Sequence, residues 1–266
     1  MIKRYIYYFA FLMVSFGYPA KSFAPGSSLK NNFTKKHMAA DEISVAVKTQ
    51  AFETYLHTLF MQTGLDKAKL DFNLFRKALV GYYNIQHKPG SSIKPILTII
   101  DFSKSSRQKR LWVIDLHQKK LLFNTYVAHG KGTGDEFARS FSNEPNSFKS
   151  SLGFYLTAQT YQGKHGLSLK LNGLDQNFNT NALVRAVVIH GADYVSADFI
   201  KRYGRLGRSL GCPALPMKET QPIVNKIKNN TCLYIYGPDK TYSSPFLTEA
   251  SAIDSFATQI FALSAS

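Results

Sequence analysis

Apolar positions recur at helical spacing through the first third of the chain. Phe52, Tyr55, Leu56, Leu59 and Phe60 form one stripe; Phe72, Leu74, Phe75, Ala78, Leu79, Tyr82 and Tyr83 form another. Gly64-Leu65-Asp66 breaks the pattern between them. The spacing predicts a small helical element over residues 41–90 that packs on a larger body. After Lys88-Pro89-Gly90-Ser91-Ser92 the pattern turns to short β-branched and aromatic runs. These predict strands at 95–102, 110–115, 120–128, 153–160, 168–171, 186–189 and 232–236, with a hairpin turn at 116–119 and a helix within 217–229. Seven short strands and few long helices imply a mainly β domain over 91–240, a sandwich or partly open barrel. Residues 241–266 carry few signals and read as a C-terminal tail. Two long loops, 130–152 and 192–210, interrupt the β pattern, and long loops in compact domains usually carry function.

The first residues add a targeting expectation. Met1-Ile2-Lys3-Arg4 is basic, residues 5–16 are apolar and uncharged, and Ala20-Lys21-Ser22 or Ser22-Phe23-Ala24 offers a small-x-small cleavage site. Residues 1–24 therefore read as a secretory signal peptide, with retention as an uncleaved anchor the alternative. Residues 25–40, rich in Ser, Gly, Asn and Lys, read as a flexible linker. No later run is long and apolar enough for a membrane span, which needs about 20 residues.

Charge narrows the partners. The chain has 266 residues and a net charge of +16, and removal of the three cations in residues 1–24 leaves +13. Such a balance favours acidic polymers: nucleic acid, anionic lipid or an anionic cell wall. Export argues against nucleic acid and places the protein outside the cell or in the periplasm. Hydrophobic content of 44% and aromatic content of 14% belong to a folded chain.

The candidate chemistry is concentrated in Gly207-Arg208-Ser209-Leu210-Gly211-Cys212-Pro213-Ala214, preceded by Val187-Val188-Ile189-His190-Gly191. Nucleophilic cysteine chemistry needs a thiolate and a nearby base, and Cys212 and His190 are residues of those types. Gly211, without a Cβ, permits a tight turn whose N–H groups face an oxyanion. A His190–Cys212 pair would titrate jointly and bring the thiol below its ordinary value of about 8.5. Cys232, in a strand-like apolar run, reads as a buried thiol and not as a disulfide partner. The absence of Cys-x-x-Cys and His-x-x-x-His spacings gives no metal site, and no cofactor motif stands out.

These segments together resemble the YkuD-type L,D-transpeptidases, most closely a branch with a Gly-Arg-Ser-x-Gly-Cys-Pro-Ala form. His190-Gly191 matches the family's His-Gly, and Arg208 to Pro213 its later Ser-x-Gly-Cys. Tyr126 to Gly130 resembles its strand ending in Gly, and Ser150 to Tyr155 its Gly-containing turn. The likeness covers about residues 96–236. It departs from the common form at Leu210, where that form has a His, and at Ala214, where it has an Arg. The resemblance implies a cysteine acyltransferase acting on peptidoglycan stem peptides through a Cys212 thioester, with His190 as base. Gly211, Ser209 and Gly191 would form the active-site turn, Arg208 and His129 would contact substrate, and His165 would lie on a flap. An L,D-carboxypeptidase acting on the same bonds, or a non-catalytic basic wall-binding protein, would keep the same fold. Oligomeric state and acyl acceptor are not encoded in these motifs.

Overall fold

The computed structural model describes residues 44–164 and 166–265. The expected signal peptide, the linker and His165 lie outside the described residues. Helices α1 (Val45–Gln62) and α2 (Phe72–Gln86) form where the two stripes were read. Each begins at a side-chain cap. Ser44 Oγ accepts from the Val47 N–H, and Asp71 Oδ1 accepts from the Leu74 N–H at 2.8 Å, satisfying donors that a helix start leaves open.

The β domain holds eight strands: β1 (Ile96–Asp101), β2 (Leu111–Asp115), β3 (Lys120–Thr125), β4 (Gly153–Gly163), β5 (Gly166–Gly173), β6 (Val188–Ala192), β7 (Ala214–Pro216) and β8 (Cys232–Tyr236). They form one mixed sheet in the order β3-β2-β1-β8-β4-β5-β6-β7. Its two ends approach each other. Just past β3, Ala128 exchanges both backbone hydrogen bonds with Ala214 of β7, so the sheet curls into a nearly closed barrel. β7 is the strand missing from the sequence reading; three residues carry too little periodicity to be seen.

Strand alternation explains why both faces of the central strands are apolar. Leu97, Ile99, Trp112, Ile114, Phe154, Cys232 and Tyr234 face the helices. Their neighbours Ile96, Ile100, Leu111, Val113, Tyr155, Leu233 and Ile235 face the barrel interior, which α4 (Met217–Ile227) covers with Ile223, Val224 and Ile227. Each fully buried large side chain of this kind stabilises the fold by roughly 1.5–3 kcal/mol. The helical layer lies close to the sheet: a Cβ on Gly81 of α2 would overlap the Phe154 ring, which stacks on Tyr234 with centroids 4.2 Å apart.

The C-terminal segment is a correction to the sequence reading. It is not a tail but helix α5 (Glu249–Ala265), and it completes the helical layer. Phe256 packs against Phe52, Tyr55 and Tyr83 with centroid separations of 5.3, 5.0 and 5.6 Å. Ion pairs Lys48–Asp254 and Arg76–Glu249 tie α5 to α1 and α2. Ala, Ser and Thr dominate its sequence, so its apolar face is narrow and forms by docking more than by its own pattern. The 192–210 loop also holds a short helix, α3 (Ala197–Tyr203), capped by Ser196 and ended at Gly204 with φ +73°.

Candidate active site

Parallel pairing of β6 and β7 brings the two candidate residues to one cleft. His190 is in register with Ala214, so Cys212, two residues earlier in the turn leading into β7, lies beside Val188. The Val188 N–H donates to Cys212 Sγ at 3.5 Å, and the thiol reaches the Ala186 carbonyl at 3.7 Å. Val188 and His190 share one face of β6 because side chains alternate along a strand. Both line a cleft of about 420 Å³ together with Cys212, Ser209, Arg208 and Arg185.

The turn before the cysteine is held by a serine. Ser209 Oγ accepts the Gly211 N–H at 3.0 Å and donates to the Cys212 carbonyl at 2.6 Å. Gly211 has φ +130°, and a Cβ there would lie 2.9 Å from the Lys149 carbonyl, so glycine is required. Ser150 Oγ accepts the Gly130 N–H and donates to the Gly211 carbonyl, both at 3.0 Å, locking the turn to the 130–152 loop. The Gly211 N–H expected to face an oxyanion is therefore already engaged. The Cys212 N–H has no acceptor among the described residues.

His190 Nδ1 lies 2.9 Å from the Gly191 carbonyl. A carbonyl only accepts, so Nδ1 carries the proton of the neutral ring and Nε2 the lone pair. Gly191 packs against α4, where a Cβ would meet Thr220 and Met217. Its role is to let the helix approach β6.

Burial pushes the Cys212 thiol above its ordinary value; the Val188 N–H and the charges of Arg185 and Lys164 pull it partly back. The expectation of a depressed thiol rests on pairing with His190; the burial described here by itself favours the neutral thiol. Cys232 is a free thiol wholly buried in β8, and burial pushes it further up.

Two expected substrate contacts are placed otherwise. His129 is buried behind the cleft: its Nδ1 accepts from Arg110 at 2.8 Å and its Nε2 faces the Gly134 carbonyl at 3.2 Å. Burial and the Arg110 charge push it down to about 3, so it stays neutral and holds the 130–134 loop. Arg208 does line the cleft, but its guanidinium is paired with Asp135 at 2.6 Å. The arginine that sequence reasoning missed is Arg185. Its two terminal nitrogens donate to the Ser142 and Lys149 carbonyls and the Ser151 and Ser147 hydroxyls, with no carboxylate partner among the described residues. It falls in an unpatterned stretch before β6, so only the fold reveals it.

Among the described residues no helix is long and apolar enough to cross a membrane. No group of three or more His, Cys, Asp or Glu is placed to hold a metal ion there.

Several solved structures are similar at low identity. An L,D-transpeptidase from Mycobacterium smegmatis is 10% identical with a TM-score of 0.34, covering 54% of this chain and 59% of that one. The helical cell shape determining protein Pgp2 from Campylobacter jejuni is 11% identical with a TM-score of 0.38, covering 70% and 65%. An L,D-transpeptidase fragment from Xylanimonas cellulosilytica is 12% identical with a TM-score of 0.32, covering 67% and 92%. The chain spans 51–59% of the length of the first solved structures it matches. No curated protein matches it in sequence. Residues 66–236, more than half of the chain and all of the β domain described above, match the L,D-transpeptidase catalytic domain family YkuD_2, and the chain belongs to that family.

Proposed function

We propose that the protein is an exported cysteine L,D-transpeptidase of the cell envelope, acting on peptidoglycan stem peptides. The observation that carries this reading is the convergence in one cleft of His190, on β6, and Cys212, in the turn leading into the neighbouring β7, in a domain of this family. His190 Nε2 takes the Cys212 proton. The sulfur attacks the amide carbonyl between the L-centre of the stem diamino acid and the terminal D-alanine. A C–S bond forms, the C–N bond breaks, and the leaving D-alanine nitrogen takes the proton back from His190. The acceptor amine then loses its proton to His190 and attacks the thioester, and Cys212 leaves as thiolate and is reprotonated. Dividing one amide exchange in this way replaces one hard step with two easier ones.

The Cys212 N–H is the backbone donor open to the developing oxyanion. Ser209 and Gly211 act by holding the turn, not by contact with substrate. Lys164, Arg185 and Arg208 give the cleft three cations and none of its lining side chains is a carboxylate, which suits an anionic donor. Arg185 and Arg208 already have partners, so this is recognition by field more than by a bidentate clamp.

The test is mass spectrometry of purified muropeptides incubated with the protein. Cross-linked products with release of D-alanine support transfer. Loss of D-alanine without cross-links assigns hydrolysis by the same nucleophile, and no change in either overturns the reading.

A further inference from the structure

A second pocket of about 370 Å³ lies between the turn joining α1 to α2, the connection joining β1 to β2, and Asn124 of β3, and it shares no lining residue with the Cys212 cleft. Four lysines line it: Lys67 and Lys69 from the turn between α1 and α2, and Lys104 and Lys109 from the connection between β1 and β2. Gln108 and Asn124 add neutral polar groups, and no acidic residue contributes to the lining. None of the four lysines has a carboxylate within ion-pair distance among the described residues.

The two lysine pairs are fastened together without an acid. Lys104 Nζ donates to the Lys69 carbonyl at 2.9 Å and lies 5.7 Å from the centroid of the Trp112 ring. Trp112 in turn donates its indole N–H to the Ala68 carbonyl at 3.0 Å. Segments about 35 residues apart in sequence are thus held in one place. Clustered ammonium groups repel one another, so a concavity lined by four lysines and no carboxylate carries an uncompensated positive field. An anion of more than one charge relieves that repulsion. The donor chemistry selects among anions. Ammonium groups are compact point charges with up to three donors each, suited to the several oxygens of a phosphate, whereas planar carboxylates are matched better by the guanidinium fork.

We propose that this pocket binds a phosphate-bearing anion independently of the Cys212 site. Trp112, the single tryptophan of the chain, lies 5.7 Å from the Lys104 ammonium and reports occupancy through it. Full-length protein is titrated with inorganic pyrophosphate at constant ionic strength while Trp112 emission is followed. The expected result is a saturable change. Each Lys→Gln substitution should weaken it about fivefold, and the combined Lys67→Gln, Lys69→Gln, Lys104→Gln, Lys109→Gln variant by on the order of a hundredfold or more. The two pairwise variants, Lys67→Gln with Lys69→Gln and Lys104→Gln with Lys109→Gln, keep the test decisive if the fourfold variant folds poorly. Acyl transfer on soluble muropeptides should be unchanged in all of them. A response that follows ionic strength alone, is equalled by citrate, or survives the substitutions overturns the proposal. Co-sedimentation with phosphatidylglycerol but not phosphatidylcholine vesicles assigns the phosphate to a lipid headgroup. Saturable pyrophosphate binding without co-sedimentation assigns it to a non-lipid phosphate.

Discussion

Cys212 Sγ accepts a hydrogen bond from the Val188 N–H at 3.5 Å, and Val188 stands two residues before His190 on the same face of β6. The register of two short parallel strands, not proximity in sequence, is therefore what brings Cys212 and His190 to one cleft. Replacing His190 with Ala should leave the strand pairing intact and lower acyl transfer by about 10²–10⁴-fold, the usual contribution of a general base. Single-turnover kinetics against pH check this. Near-normal turnover with an unchanged pH profile would remove His190 from the mechanism.

The thiol's ionisation follows from its surroundings. Burial raises Cys212, and Arg185 and Lys164 oppose that rise because a nearby cation favours the thiolate. Alkylation by iodoacetamide should thus reach half-maximum at a higher pH than a free thiol does. Arg185→Gln should move the midpoint higher still, because the thiolate loses a favourable charge. A downward shift would contradict the electrostatic picture. Cys232, deeper and wholly buried, should stay unmodified until the protein unfolds.

On the proposed mechanism, Ser209 positions the turn that carries Cys212. Ser209→Ala removes both the acceptor for Gly211 and the donor to the Cys212 carbonyl. It should lower kcat more than it raises KM, since the turn presents the nucleophile and binds little of the substrate. Ser209→Thr, which keeps the hydroxyl, should recover part of the loss. Equal losses in both variants would point to a steric role instead.

Two glycines should be intolerant for different reasons. At Gly153, φ is +109° and a Cβ would fall 2.3 Å from Asp175 Oδ2. That carboxylate accepts from the Phe154 N–H, Tyr242 and Ser244, so Gly153→Ala disturbs a buried junction between β4 and the C-terminal segment. At Gly81 the obstacle is the Phe154 ring. Each Ala substitution should cost about 1–3 kcal/mol, read as a lower denaturation midpoint in urea. Truncation before Glu249 should be worse, because it uncovers Phe52, Tyr55 and Tyr83.

Much of this was legible in the residues. The stripes ending at Phe60 and Tyr83 became α1 and α2, and the alternating runs became strands close to their expected bounds. The Cys212 turn and His190 stood out less by residue type than by the resemblance of the Gly-Arg-Ser-x-Gly-Cys-Pro-Ala and His-Gly segments to a known family. What stayed hidden depended on tertiary contact. α5 has a face of Ala252, Ile253, Phe256 and Ala257 that makes sense only beneath α1 and α2. The family resemblance put His129 at the cleft, yet it is buried and bonded to the Arg110 guanidinium. Arg185 and the four-lysine pocket arise from segments that no spacing rule connects.

The most direct test of the central claim is to trap the covalent intermediate. Protein incubated with a purified stem tetrapeptide and no amine acceptor is quenched in acid and digested, and the peptide containing Cys212 is identified by mass spectrometry. The account predicts a thioester on Cys212 whose added mass equals the tetrapeptide less D-alanine, absent from Cys212→Ser. Turnover by a folded Cys212→Ser protein, or an acyl group on any other residue, would contradict it.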